Sequence, residues 1–388
     1  MVRDMSKIKV LIIAGDMHVG GIENQLMHLA RNADKEKFQI DFTSTMTDAF
    51  YRQEIESLGG EFILIPPMEW KRPGIYCKAL YQVMKRGRYD IVHSHELFHS
   101  GITLWIAKKS GVPCRFAHAH NWSDGDGISK KRTIIRSAYN VVMRNMINRY
   151  STVQIACSTW AGKFLYGKKM IHRETYHLLF NSVDSGKFIE NYGREESGEF
   201  CGDGWTNVLN VARITAVKNQ KFLIDIADEF RKAGDKIRIL CAGNGDEAYV
   251  SEVRRQIKDM ELESYIQLLG VRKDIDVLMR KSKAFVLPSK YEGMPLVMIE
   301  AQASGLFCVS ANTYSSEVDF EIGTVVWLSL DDTPIQWANA IRAAAKRNRP
   351  TKAKVVTAVQ KKKFDSKMFA DTLCKLYQQD YERNRKAH

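Results

Sequence analysis

The chain has 388 residues, 45% of them hydrophobic and 27% charged, with 25 glycines, 8 prolines and a net charge of +13; this balance excludes bulk disorder and fibrous structure and suggests two domains, each able to bury a core. The longest apolar run, near Val10 to Ala14, falls far short of the roughly 20 residues that span a membrane, and no secretory signal is expected ahead of it. Seven scattered cysteines, never spaced C-x-x-C, predict reduced buried thiols and a cytosolic setting, against a disulfide framework or a zinc site.

Short β-rich apolar runs alternate with helical patterns along the chain. Strands are predicted near 8–14, 38–44, 61–66, 90–93, 114–119 and 152–156, with helices near 22–33, 50–58, 73–86, 99–110 and 130–149. This rhythm implies right-handed βαβ crossovers and a parallel sheet. A polar stretch from Glu190 to Gly204 interrupts it and reads as a linker. Strands then follow at 206–212, 237–242, 264–269, 284–287 and 306–310, with helices at 218–232, 246–258, 274–281 and 295–304. A last segment, Phe364 to Arg383, places Met368, Phe369, Leu373, Leu376 and Tyr377 at helical spacing. The expected fold is α/β, with two doubly wound Rossmann-like modules, 1–189 and 190–360, facing each other across a central cleft. Residues 361–388 are expected to form a helix that packs back on the first module.

The most informative stretch is Pro288-Ser-Lys-Tyr-Glu292-Gly293-Met294-Pro295-Leu296-Val-Met-Ile-Glu300. It follows an apolar strand, and Pro295 suits the first turn of a helix. Glu292 then lies in the loop and Glu300 inside the helix. If both were helical, about 12 Å would separate them along the axis, too far for two carboxylates to flank one bond. Two ends of one extended ligand fit better, with the first-turn amides suited to a phosphate between them. By spacing alone, one exposed loop acid and one helix-face acid would serve equally.

This run resembles the E-x7-E element of the retaining GT-B glycosyltransferases, the "group 1" family of polysaccharide-building enzymes, and the resemblance extends over nearly the whole chain. It implies that Glu292 contacts the donor sugar and Glu300 the nucleotide ribose. Phe307 stands where the family usually has Pro. Asn210-Val-Ala-Arg213-Ile-Thr-Ala-Val-Lys218-Asn219 is similar to the family's G-R-L-x(3–4)-K motif, with Ala212 for Gly. By that likeness Arg213 and Lys218 hold the donor diphosphate; standing alone, they would read as two solvated cations. Gly20-Gly21-Ile22-Glu23 resembles the G-G-x-E loop that faces donor phosphates and acceptor. Neither it nor Gly243-Asn-Gly245 completes G-x-G-x-x-G, so a dehydrogenase is disfavoured. Leu269-Gly270-Val271-Arg272 resembles the loop whose backbone receives the base. Asn181-Ser182-Val-Asp184-Ser-Gly-Lys-Phe188 resembles a structural turn, in which Ser182 replaces Gly and would make a positive φ costly.

His93-Ser-His95 and His118-Ala-His120 end two strands, and alternate strand residues share a face. No Cys or carboxylate cluster accompanies them, so no metal is expected there. By resemblance His120 bonds the donor sugar or the reacting groups, and the other three support the cleft wall. The triplets Asp124-Gly-Asp126 and Asp274-Ile-Asp276 likewise stand without further ligands. Neither metal nor cofactor is expected, the nucleotide-sugar being a co-substrate.

Charge is uneven. Residues 1–190 hold 27 basic and 18 acidic side chains, residues 191–340 hold 17 and 23, and residues 341–388 hold 14 and 4. A basic module, an acidic module and a basic tail are expected. Residues 129–150 have six basic side chains and no acid, with an apolar stripe through Ile134, Ile135, Ala138, Tyr139, Val142, Met146 and Ile147. Lys130, Lys131 and Arg132 oppose the helix dipole, which hints at an anionic partner; an ordinary core-facing helix accounts for the stripe but not for the missing acids. Without a nucleic-acid motif, the expectation is peripheral contact with anionic lipid at the inner face of the cell membrane. The function expected is retaining, metal-independent transfer of a sugar from a nucleotide-sugar, a UDP-sugar by preference, to a hydroxyl of a glycan or lipid-linked acceptor. A sugar-nucleotide epimerase of the same architecture and a silent glycan- or membrane-binding scaffold are the alternatives.

Overall fold

A computed structural model describes residues 7–15, 17, 20–69, 72–120, 130–194 and 196–386; side chains are described for all of these except residues 130–133. Asp124-Gly-Asp126 and the side chains of Lys130, Lys131 and Arg132 therefore lie outside it. The chain divides into two units, Met1–Ser182 with Ser366–His388, and Val183–Asp365.

In the first unit the elements run β1 (Ile8–Ile13), α1 (Gly21–Asn32), β2 (Phe38–Ser44), α2 (Arg52–Ser57), β3 (Phe62–Leu64), α3 (Pro73–Gly87), β4 (Ile91–Ser94) and α4 (Ser100–Lys109). They continue with β5 (Cys114–Ala119), α5 (Lys130–Tyr150), β6 (Val153–Ala156), α6 (Thr159–Tyr166) and β7 (Tyr176–Leu178). The seven strands form one parallel sheet, ordered β3-β2-β1-β4-β5-β6-β7. Central β1 is apolar on both faces, as helices covering both sides require. Val10 and Ile12 pack with Phe42 and Phe116 on one face, while Leu11 and Ile13 pack with Leu80 and Ile106 on the other.

The second unit contains α7 (Ser185–Ile189), β8 (Thr206–Val211), α8 (Gln220–Lys232), β9 (Ile237–Ala242), α9 (Glu247–Asp259), β10 (Ile266–Gly270) and α10 (Ile275–Lys281). It goes on through β11 (Ala284–Leu287), α11 (Leu296–Ala303), β12 (Phe307–Ala311), β13 (Val325–Leu328), α12 (Pro334–Ala345) and α13 (Lys352–Lys362). Its parallel sheet is ordered β10-β9-β8-β11-β12-β13. The last helix, α14 (Ser366–Lys386), returns to the first unit, where Phe369, Ala370, Leu373 and Tyr377 join the core beside α1.

Four expectations need correction. Residues 183–189 belong to the second unit: Val183 bridges Asp365, its amide donates to the Phe364 carbonyl at 2.8 Å, and α7 packs on α11 and α13. Residues 361–365 join the same unit, held in part by Phe364 stacking on Phe320, and the basic stretch 341–360 counts with that unit rather than with a separate tail. The second unit thus holds 27 basic and 26 acidic residues and the first 31 and 19, so neither is acidic. Only the C-terminal end of the stripe read on α5 reaches the core: Ile134 and Ile135 are 72% and 73% exposed, whereas Ile147 is buried together with Met143, which lies outside the stripe. There α4 comes so close that a Cβ on Gly101 would lie 2.9 Å from the Met143 carbonyl oxygen. Ser182 keeps a negative φ. Its amide donates to Gln25 Oε1 at 2.7 Å and its hydroxyl meets His28 Nδ1 at 3.1 Å, so the serine ties this turn to α1.

Candidate active site

In an open parallel sheet, ligands bind beyond the strand C-termini where the strand order reverses. In the second unit that point lies between β8 and β11, which are paired neighbours. The loops leaving them are 212–219 and 288–295, the two stretches carrying Arg213, Lys218 and Glu292.

Local bonding holds these loops together. The Lys290 amide donates to the Val217 carbonyl at 2.8 Å, and Asn219 Nδ2 reaches the Pro288 carbonyl at 3.2 Å. Asn219 caps α8 in a left-handed conformation, φ +63°, one that Asn tolerates better than most residues. Gln220 closes the cationic loop from within, receiving the Thr215 amide at 3.1 Å and donating to the Arg213 carbonyl at 3.0 Å. A Cβ at Gly243 would collide with the Ala212 carbonyl, so the loop after β9 supports this one at contact distance.

The side chains then meet. Lys218 Nζ donates to Glu292 Oε1 at 2.5 Å, both groups mostly shielded from solvent. Arg213 is exposed on the same loop. Met294 and Pro295 are buried beneath, while Gly293 and Leu296 are half-buried. Pro295 is the N-cap of α11 rather than its first helical residue, and no side chain caps that end. The first-turn amides of α11 remain suited to an anion. Ser289 Oγ, fully buried in the same loop, has no hydrogen-bond partner.

Glu300 lies farther along α11. Part of its side chain reaches solvent, yet the surrounding protein pushes its carboxyl pKa up to about 7, partly offset by the Lys187 ammonium. Lys187 also sits 3.4 Å from Asp276 Oδ1. Sequence reasoning missed Lys187, treating its turn as structural; the signal was a lysine two residues past the Asp184-Ser185 start of α7. Arg272 grips Asp274 through two 2.8 Å bonds and Glu199 at 3.1 Å. Val271 beside it is 74% exposed, following a bulge and Gly270 at φ +68°. Asp276 is paired with Arg280 at 3.2 Å, so both acids of this triplet are engaged by cations.

The other predicted residues belong to the first unit. Gly20 is the N-cap of α1 with φ −158°, and Gly21 opens that helix, exposed. His120 is buried just past β5, its Nε2 2.8 Å from His95 Nδ1, and burial pushes its pKa down to about 4. Among the described residues no helix is long and apolar enough to cross a membrane.

The two halves match separate family models: residues 206–347 match "Glycosyl transferases group 1" and residues 19–187 match "Glycosyltransferase Family 4". EpsF of Bacillus subtilis (strain 168), named as a glycosyltransferase, is 32% identical over 378 residues, covering 96% of this chain and 97% of EpsF. The chain belongs to the group 1 glycosyltransferases. This glycosyltransferase is also 26% identical over 345 residues to CapH, a capsular polysaccharide biosynthesis glycosyltransferase of Staphylococcus aureus, covering 88% and 92% of the two chains. Its structure is similar to that of Anabaena HepE in complex with UDP and glucose, with a TM-score of 0.74 at 18% identity over 95% and 98% of the chains. That likeness places the glycosyltransferase in the two-module GT-B fold.

Proposed function

We propose that this glycosyltransferase moves a sugar from a UDP-sugar to a hydroxyl of a glycan or lipid-linked acceptor in cell-surface polysaccharide synthesis, retaining the anomeric configuration. The observation that carries this reading is the Lys218–Glu292 pair at the β8/β11 switch point, with Arg213 beside it and the open end of α11 beneath. Two cations and a helix N-terminus suit a diphosphate, and an acid a few ångströms away suits a sugar hydroxyl. Support for UDP and for a polysaccharide product comes from the HepE complex and from the name of CapH.

In this reading Arg213 and Lys218 neutralise the diphosphate as the anomeric C–O bond breaks. Glu292 accepts hydrogen bonds from the sugar and Glu300 from the ribose, and His120 is assigned to the sugar or the reacting groups. The backbone around Val271 receives the base, and the Gly20-Gly21 turn faces the phosphates. With no covalent nucleophile assigned, the departing phosphate oxygen takes the acceptor proton while the acceptor oxygen attacks from the same face. The diphosphate charge is met by side chains, so no added Mg2+ or Mn2+ is needed. On the acceptor side, the basic first unit and the exposed Ile134, Ile135, Val141 and Val142 of α5 suit an anionic membrane face.

A panel of UDP-sugars offered with hydroxyl acceptors tests this, with NMR of the product's anomeric coupling. An α-configured donor giving an α-linked product, without added divalent metal, is the expected result. Arg213→Ala should slow transfer about 10²-fold or more. A β-linked product, or strict dependence on Mg2+ or Mn2+, overturns the mechanism; epimerised nucleotide-sugar with no transfer overturns the function.

A further inference from the structure

The first unit has its own switch point, between β1 and β4, and four histidines gather beside it. His93 on β4, His118 on β5, and His95 and His120 just past those strands share one face of the sheet. All four are buried, His93 and His118 almost completely. Ring centres lie 4.1 Å apart for His93 and His95, 5.2 Å for His95 and His118, and 5.3 Å for His93 and His118. Ring nitrogens of these three all lie within 4.8 Å of one another.

The hydrogen bonding around the cluster is one-sided. His93 Nδ1 meets the Tyr377 hydroxyl at 2.6 Å, and His95 Nδ1 meets His120 Nε2 at 2.8 Å. Nε2 of His93, Nε2 of His95 and both nitrogens of His118 have no hydrogen-bond partner. Changing tautomer does not help, since an orphaned N–H merely replaces an orphaned lone pair. Each such group keeps the cost of leaving water without a bond to offset it, and several converging on one spot call for an occupant.

We propose that His93, His95 and His118 form a binding site for a borderline divalent cation of the Zn2+ or Co2+ class. Metal–nitrogen bonds of about 2.0–2.1 Å in tetrahedral geometry put imidazole centres about 5 Å apart. Two of the three separations already meet that value. The His93–His95 pair, at 4.1 Å, opens toward it by small rotations about χ1. Burial holds all three rings neutral, the form that ligates. Tyr377 and His120 engage the outer nitrogens of two of them, as partners that orient metal-bound imidazoles commonly do. The lack of Cys or carboxylate in the cluster does not exclude a metal; it selects one, because an all-imidazole set disfavours Mg2+ and Ca2+. A fourth position is left for water, on the side of His95 and His120, which are the more accessible members.

The full chain, freed of metal by chelator and dialysis, is titrated with Zn2+ by calorimetry and with Co2+ by visible spectroscopy. Uptake of one ion per chain is expected, with tetrahedral Co2+ bands and a higher Tm in Zn2+. His118→Gln should weaken binding at least 100-fold. Tyr377→Phe should weaken it about 10- to 100-fold through the lost orienting bond, and exposed His172→Gln should leave it unchanged. Circular dichroism checks the fold of each variant; if His118→Gln does not fold, Tyr377→Phe and the Co2+ spectrum decide. No stoichiometric uptake by the wild type, or uptake by His118→Gln and Tyr377→Phe equal to that of the wild type, overturns the site.

Discussion

Lys218 Nζ and Glu292 Oε1 form a 2.5 Å ion pair across two loops that leave adjacent strands of the second unit. Each is the other's partner in a mostly buried setting, so an arriving anion competes with Glu292 for the lysine, and a sugar hydroxyl competes with Lys218 for the acid. The pair is expected to behave as one functional unit. Lys218→Ala and Glu292→Gln should each lower turnover about 10²-fold or more, and the double variant should lose little beyond either. Glu292→Gln should leave UDP affinity equal or higher, since it releases Lys218 toward phosphate. Steady-state kinetics and UDP calorimetry on the three variants measure this; multiplicative losses would mean independent roles.

Glu300 is expected to make nucleotide binding pH-dependent. Burial raises its carboxyl pKa from 4.5 to about 7, so below pH 7 the group is largely protonated and a poor acceptor for ribose hydroxyls. UDP binding should then expel a proton, and affinity should fall by up to about tenfold per pH unit below 7. Calorimetry in buffers of different ionisation enthalpy reads the proton directly, and Glu300→Gln should abolish it. Between pH 4.5 and 7 the folded protein holds a proton that the unfolded chain has lost. This group's contribution to stability therefore falls as pH rises through that window.

Arg349 anchors the second unit by a different route. Its guanidinium donates to the carbonyls of Ser304 at 2.9 Å, Met279 at 2.9 Å, Arg280 at 2.9 Å and Ser282 at 2.8 Å. These are the C-terminal ends of α10 and α11, where a cation also interacts favourably with the helix dipole. Arg349→Ala orphans several carbonyls at once and should destabilise the protein by about 2–4 kcal/mol in urea titrations. Lysine, a single point donor, should recover only part of the loss.

Membrane contact should follow the charge of the first unit. Anionic liposomes should retain the protein at low salt and release it as ionic strength rises, since each basic residue contributes about 1 kcal/mol within a Debye length. Replacing Lys130, Lys131 and Arg132 with Ser should reduce co-sedimentation and leave UDP affinity intact. Equal retention on neutral liposomes would assign the contact to the exposed apolar residues of α5 alone.

Most of the fold follows from local pattern. Strand and helix periods differ, so β1, β4, β8 and β11 and the helices between them are readable from residue spacing, and turn chemistry marks where each ends. The E-x7-E run and the Arg213–Lys218 loop are legible for the same reason: their residues lie close in sequence and carry distinctive chemistry. What spacing cannot report is adjacency between distant segments. The order that sets β8 beside β11, and so brings Lys218 to Glu292 across 74 residues, depends on how whole strands pair. So do the capture of 183–189 and 361–365 by the second unit, the exposure of Ile134 and Ile135, and the meeting of His93, His95 and His118. Single-residue preferences are nearly neutral on each of these. Only the burial of complete faces against one another discriminates between the alternatives, and that free energy exists once the sheets and their covering helices have assembled.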